Sequence, residues 1–210
     1  MKILVTGASG YIGEALCRYL SGLDIPVTAI YNAHFPTTLD GLKGITLVQA
    51  DITKPHSLAG PMSGCTHVFH TAAFCYNWSR DMSVFEKVNI KGTDNLLNMA
   101  LEHGVKRFVF TSSAGTLGPA TDGEAVREGS VRQRAFFNEY ERTKYEAELR
   151  VLDYLKKGLD AVIVNPTRIF GPGLMGGGNF TTDLIRRYVN GTWHYLPGDG
   201  KSTGNYVYVD

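Results

Sequence analysis

The sequence is poor in the features that would send it to an oxidising compartment, a metal, a polyanion or a membrane. Its three cysteines, Cys17, Cys65 and Cys75, are odd in number and irregularly spaced, which argues against a disulfide framework or a zinc site and fits a reducing compartment. His34, His56, His67, His70, His103 and His194 are scattered, with neither i, i+4 pairing nor cysteine company, so no metal is expected. Lys plus Arg number 21 against 20 Asp plus Glu, leaving a formal charge of +1, which gives no reason to expect nucleic acid as a partner. No apolar run approaches the roughly 20 residues of a membrane span, and the chain opens on a strand-like segment instead of a charged and then apolar leader. These absences predict a soluble, cytoplasmic protein with neither nucleic acid nor membrane as partner. Internal repeats and low-complexity tracts are absent too.

What is present is an alternation. The 210 residues, 43% apolar, suffice for one sizeable core. Lys2–Thr6 reads as a buried strand, and Ile12, Ala15, Leu16, Tyr19 and Leu20 fall at helical spacing behind it. Further strands are expected at Pro26–Tyr31, Ile45–Ala50, Thr66–Thr71, Lys106–Ser112 and Leu159–Asn165. Helical patterns cover Asp81–His103, stopped by Gly104, and Glu139–Lys157, with Tyr145, Leu149, Leu152 and Leu155 as its apolar positions. Between the second and third strands Pro36, Asp40 and Gly41 indicate loop. Ala114–Asn138, with Gly115, Gly118, Pro119 and Gly123, is a long polar loop of the kind that carries function. Such an order predicts an α/β fold, a Rossmann-type doubly wound parallel sheet with helices on both faces. Past Pro166, Gly171-Pro172-Gly173 and Gly176-Gly177-Gly178 form a flexible connection or a loop closing over substrate. Thr182–Asn190 reads as a short helix and Asn205–Asp210 as the start of another strand.

Three sets of residues could carry chemistry. Gly7, Gly10 and Gly13 lie in the first strand-to-helix turn, spaced GxxGxxG. They either serve an ordinary tight turn and close helix packing or let a pyrophosphate approach free N–H groups at a helix N-terminus. Tyr140 and Lys144, four apart, share one helical face. They are either a surface phenol beside a solvated ammonium or a working pair, in which the ammonium lowers the phenol pKa from its ordinary value of about 10 and Tyr140 exchanges a proton with substrate. Ser113, ending the fifth strand, either hydrogen-bonds the same substrate oxygen or satisfies a turn.

Together these residues closely resemble the extended branch of the short-chain dehydrogenase/reductase superfamily, the NAD-dependent epimerase/dehydratases. The resemblance covers essentially the whole chain. Thr6–Gly13 is similar to the nucleotide turn of that family, Asp51-Ile52 to its adenine-contacting aspartate and neighbour, and His70–Ala73 to the segment beside the cofactor. Val88–Thr93 resembles its VNxxGT motif, Phe110–Ala114 its catalytic-serine strand, Tyr140–Lys144 its YxxxK and Pro166–Gly173 its cofactor-facing loop. The resemblance implies Tyr140 as general acid/base, Lys144 as its pKa-lowering partner and ribose ligand, and Ser113 as anchor of the substrate oxygen. Asn89 is expected to support the site through the helix backbone. It implies cofactor contacts from Gly7, Gly10, Tyr11, Ile12, Gly13, Asp51, Ile52, Thr71, Ala72, Ala73, Tyr140, Lys144 and Pro166. At the end of the second strand neither an acid for a ribose 2′-OH nor an Arg for a 2′-phosphate appears. NAD and NADP both remain open, with Asn32 and Tyr31 as candidate ribose contacts.

The resemblance implies an NAD(P)-dependent oxidoreductase, dihydroflavonol-reductase-like, acting on a small-molecule carbonyl or alcohol. A nucleotide-sugar or hopanoid-associated sugar epimerase and a non-catalytic dinucleotide sensor are the alternatives. Phe74–Trp78 and Phe136-Phe137 either line an apolar pocket, which favours the reductase, or belong to the core. Related chains continue past the equivalent of Asp210. The sequence is thus expected to be a fragment, with 1–165 the NAD(P)-binding domain, 166–210 the beginning of a substrate-binding lobe, and a homodimer formed through the helices at Asp81–His103 and Glu139–Lys157.

Overall fold

Ile3–Thr6 (β1) is buried along its whole length, as a strand covered on both faces must be. It is flanked in parallel by Val27–Tyr31 (β2) and His67–His70 (β4). In the computed structural model, which describes residues 1–120, 124–175, 177–196, 198–201 and 203–210, the sheet runs β3-β2-β1-β4-β5-β6. Here β3 is Ile45–Gln49, β5 Arg107–Thr111 and β6 Ala161–Val164, all parallel. The order reverses between β1 and β4, so the crevice for a ligand opens beyond the carboxyl ends of those two strands.

Alternation along β1 divides the core. Ile3 and Val5 join Cys17, Leu20, Val27, Ala29 and Leu39 on the face covered by α1 (Tyr11–Gly22). Leu4 joins Ile30, Val68, Phe108, Phe110, Leu96, Leu97 and Val151 on the other face, under α4 (Thr93–Glu102) and α5 (Glu139–Lys156). A four-residue helix, α2 (Ala59–Met62), packs beside α4. The β2–β3 connection is loop with one 3-10 turn, Thr37–Leu39, whose Leu39 closes the α1 side of the core. Among the described residues no helix is long and apolar enough to cross a membrane.

Four expectations change. On α1 Tyr19 is exposed, whereas Glu14 and Cys17 face inward, and Arg18 Nε reaches the Glu14 carboxylate at 2.9 Å. The inward face of α5 is Thr143, Lys144, Ala147, Val151 and Tyr154; Tyr145, Leu149, Leu152 and Leu155 point outward. The helix expected at Asp81–His103 is α over Ser83–Phe85 (α3), π over Glu86–Gly92 and α again in α4. Finally, the segment after Pro166 contains a strand, Arg168–Phe170 (β7), paired in parallel with Tyr206–Tyr208 (β8). Gly171 and Gly173 beyond it are not a loose connection: both have positive φ, and a Cβ on Gly173 would meet the Tyr11 ring at 3.1 Å. Gly178 belongs to a 3-10 turn, Gly177–Asn179, leading into α6 (Phe180–Val189). Gly123 and Gly176 lie outside the described residues.

Candidate active site

The glycine turn is shaped first by the protein itself. Gly7 has φ +74°, and a Cβ there would lie 2.7 Å from the Ala72 nitrogen; one on Gly13 would lie 2.2 Å from the Gly7 carbonyl oxygen. Gly7 and Gly13 thus seat the turn against itself and against Thr71-Ala72 at the end of β4. Gly10 differs, since its Cβ position meets only Gly7 O, at 3.2 Å. It opens α1 with no side chain capping the helix. The first-turn N–H groups therefore have no side-chain partner, and dipole and donors together fit an anion such as a pyrophosphate. Ile12 is half-buried, whereas Tyr11 is buried, with its ring beside Gly173 and its hydroxyl beside Gly171.

A buried chain of hydrogen bonds runs from this turn to α5. Thr93 Oγ1 donates to Asn89 O at 2.7 Å, so toward His70 Nε2, 2.9 Å away, it accepts. His70 then carries its hydrogen on Nε2, and its bare Nδ1 accepts the Thr6 hydroxyl at 2.8 Å. The imidazole is fully buried, and burial first, with the Lys144 charge second, holds its pKa well below the usual histidine range. Asn89 sits in the π segment, where its side chain accepts from Phe74 N at 2.8 Å and donates to Thr143 Oγ1 at 3.0 Å. Asn89 thus supports the site by its side chain as well as through the helix backbone.

Thr143 lies between Tyr140 and Lys144 on α5, which brings Tyr140 to Ser113 after β5 and Lys144 over the Phe110 ring of β5. Ser113 Oγ accepts from Gly115 N at 3.1 Å, opening a 3-10 turn at Ala114–Thr116. The expected lowering of the Tyr140 pKa is not found. Burial pushes it up to about 12; Cys75 adds to this and the Ser113 hydroxyl opposes it. The Lys144 Nζ lies 4.0 Å from the centroid of the Phe110 ring, and burial likewise pushes its pKa down to about 7, against Glu148 and Cys75. Both members of the pair are thus driven toward neutrality.

The remaining expected residues lie just beyond the carboxyl ends of β2, β3, β4 and β6. Thr71 Oγ1 donates to Thr6 O at 2.6 Å, and Ala72 N to Thr6 Oγ1 at 3.3 Å; Ala73 is half-buried next in line. Asp51 Oδ1 is engaged by Thr53 N at 2.9 Å, and Ile52 packs where a Cβ on Gly92 would meet its Cδ1 at 2.7 Å. Asn32 is exposed at the end of β2. Pro166 O accepts from Ala114 N at 2.9 Å, tying the end of β6 to the Ser113 turn.

Sequence reasoning missed Arg132 and Glu148. Arg132 pins the long loop through Gly115 O at 2.6 Å, Thr116 O at 3.0 Å and Glu141 Oε2 at 2.9 Å, with its guanidinium 4.2 Å from the Phe136 ring centroid. Only the i, i+4 spacing of Lys144 and Glu148 hinted at either.

A switch-point crevice with an uncapped helix N-terminus, beside a serine, tyrosine and lysine, defines a dinucleotide-binding Rossmann-type protein of the extended short-chain dehydrogenase/reductase kind. The chain belongs to the NAD dependent epimerase/dehydratase family, whose model matches residues 3–210. It is 32% identical to a 2-alkyl-3-oxoalkanoate reductase of Stenotrophomonas maltophilia, over 100% of this chain and 62% of the relative. It is 34% identical to a putative dihydroflavonol 4-reductase of Synechocystis, over 80% and 49%. The fold matches the solved UDP-glucose 4-epimerase of Thermus thermophilus in complex with NAD at TM-score 0.86, with 26% identity, covering 100% of this chain and 71% of the other. The chain thus spans between about half and about three fifths of the length of these two curated relatives.

Proposed function

We propose that the chain is the cofactor-binding part of an NAD(P)-dependent oxidoreductase that reduces a carbonyl, or oxidises the matching alcohol, on a largely apolar small molecule. The observation that carries this reading is the approach of the Tyr140 phenol on α5 to the Ser113 hydroxyl after β5, with Lys144 one turn further on α5 over the Phe110 ring. The first-turn N–H groups of α1 and the Gly10 face would hold the pyrophosphate, and Asp51 and Asn32 would border the adenosine. A bound nicotinamide dinucleotide would supply or accept the hydride. A phenol with a pKa near 12 is protonated at neutral pH. In the reductive direction Tyr140 therefore begins in the form that can donate a proton to the substrate oxygen. Ser113 would hold that oxygen, and Lys144 when charged would favour the phenolate left behind. Reduction is further supported by the exposed rings of Tyr76, Trp78 and Phe137 near the cleft, and by relatives at 30% identity or more that are named reductases. We place the boundary between cofactor domain and substrate lobe at 165/166.

Thermal stabilisation of the chain by NAD and NADP selects the cofactor, since a ligand of the folded state alone raises apparent stability. Turnover is then followed by nicotinamide absorbance with 3-oxoalkanoates and dihydroflavonols. Tyr140→Phe is expected to lower kcat at least about 100-fold while cofactor affinity stays within about twofold. Undiminished turnover in that variant would remove Tyr140 from the chemistry. In the full-length protein, conversion of a nucleotide sugar with no net change in nicotinamide would make it an epimerase, and cofactor binding without any turnover would make it a sensor.

A further inference from the structure

Glu148 stands one turn beyond Lys144 on the same face of α5. A single carboxylate oxygen, Oε1, accepts the Ser112 hydroxyl and the Asn165 side-chain amide at 2.7 Å, and shares with Ser113 O, each at 2.8 Å, the one hydrogen of the Thr116 hydroxyl. These donors come from three segments: the end of β5, the 3-10 turn after Ser113, and the residue between β6 and Pro166. Asn165 uses its other N–H on Ser113 O, at 3.2 Å. Backbone bonds run parallel to this cluster, Ser112 N to Val164 O at 2.8 Å and Ala114 N to Pro166 O at 2.9 Å. The residue that would hold the substrate oxygen is therefore bracketed by groups that converge on one carboxylate.

We propose that Glu148 is a positioning residue of the site: its carboxylate fixes the Ser113 end of β5 and the Pro166 end of β6 against α5, and its charge is the counter-charge of Lys144. The proposal rests on the roles given above to Ser113 and Lys144. The surroundings of Lys144 give Glu148 this second part. From β4 the neutral His70 faces it, from the segment after β4 Cys75, from β5 the Phe110 ring, and from its own helix Glu148. Burial opposes the ammonium, and Glu148 is the larger of the two groups that support it. Without that carboxylate the amine would lose its charge at a lower pH.

Two conservative variants separate the two parts. Glu148→Gln keeps an oxygen of the same reach and removes the charge, whereas Glu148→Asp keeps the charge and shortens the reach. The full chain without cofactor, isotope-labelled, would be titrated by NMR at the Lys144 Nζ and Cε resonances, assigned by Lys144→Arg, and exchange of the Ala114 amide would be timed. The Lys144 midpoint is expected to fall by about one pH unit in Glu148→Gln. Exchange at Ala114 is expected to quicken about tenfold in Glu148→Asp while staying near wild type in Glu148→Gln. An unmoved Lys144 midpoint in Glu148→Gln, or wild-type Ala114 exchange in Glu148→Asp, overturns the assignment. Neither readout needs turnover. A catalytically silent protein would refute the proposed function and leave the Glu148 assignment standing or falling on these two measurements.

Discussion

The imidazole of His70 shows how little freedom a buried polar chain leaves its members. With Thr93 already donating to Asn89 O, a proton added at Nδ1 would face the Thr6 hydroxyl, whose own hydrogen must then turn away. Its pKa in the fold lies well below the ordinary value of 6.5, which the unfolded chain recovers. As pH drops below about 6.5 the unfolded state therefore takes up a proton that the fold refuses, and stability is lost. The contribution is intact above that pH. His70→Gln cannot titrate, so its unfolding free energy should fall less between pH 7 and pH 5 than that of wild type, by up to about 1.4 kcal/mol per pH unit. At pH 7 the variant should itself be weaker by about 1–3 kcal/mol, because it breaks a buried chain. Urea denaturation at the two pH values measures both effects, and parallel slopes would show that His70 protonates freely in the fold.

At the scale of elements, the turn into α1 separates glycines needed by the fold from one left to the ligand. A methyl on Gly13 would stand 2.2 Å from the Gly7 carbonyl oxygen, a backbone atom that cannot yield, whereas one on Gly10 meets the same atom at 3.2 Å. Gly13→Ala should cost about 2–4 kcal/mol or prevent folding, and Gly10→Ala should cost under about 1 kcal/mol. Gly10→Ala should instead weaken dinucleotide binding at least about tenfold, as judged by calorimetric titration; unchanged affinity would take Gly10 out of the phosphate cradle. The turn was legible in the sequence because strand, glycines and helix are contiguous. The six sheet strands were legible because each centres on an apolar run; β1 and β2 are buried on both faces, whereas the edge strands β3 and β6 are buried only in part. The facing of α5 was not: this helix buries Thr143 and Lys144 for the site and shows Leu149 and Leu152 outward, reversing the rule that apolar residues point in. The π turns of Glu86–Gly92 left no mark, because a shift from i+4 to i+5 bonding changes no residue type. Strand β7 was hidden because its three residues pair with β8, more than thirty positions on. Of the site, the local spacing of Tyr140 and Lys144 was readable, whereas the convergence of Ser112, Thr116 and Asn165 on Glu148 is a meeting of distant segments.

For the whole molecule, the reversed facing of α5 is itself the clue to assembly. Tyr145, Leu149, Leu152 and Leu155 form an apolar seam at i, i+4, i+7 and i+10, each side chain between 36% and 43% exposed. A helix in a lone domain would gain nothing by turning leucines to water while burying a lysine. Two copies meeting across α5 would cover both seams by a self-complementary contact, the usual form of a two-fold dimer. The π-containing helix beside α5, to which the Arg142 guanidinium of α5 reaches at Glu86, 3.0 Å away, would complete a four-helix interface. The inward face of α5 carries the site chemistry, so a substitution on the outward face can test assembly alone. Leu149→Glu combined with Leu152→Glu should give a protein that light scattering after gel filtration reports as a monomer at micromolar concentration, where wild type is expected to be a dimer. Like charges placed across the axis repel one another and desolvate poorly. Cofactor affinity in the variant should stay within about twofold of wild type, since neither leucine touches Lys144 or its partners. A wild-type protein that stays monomeric at every concentration would leave the seam to some other covering and refute the dimer.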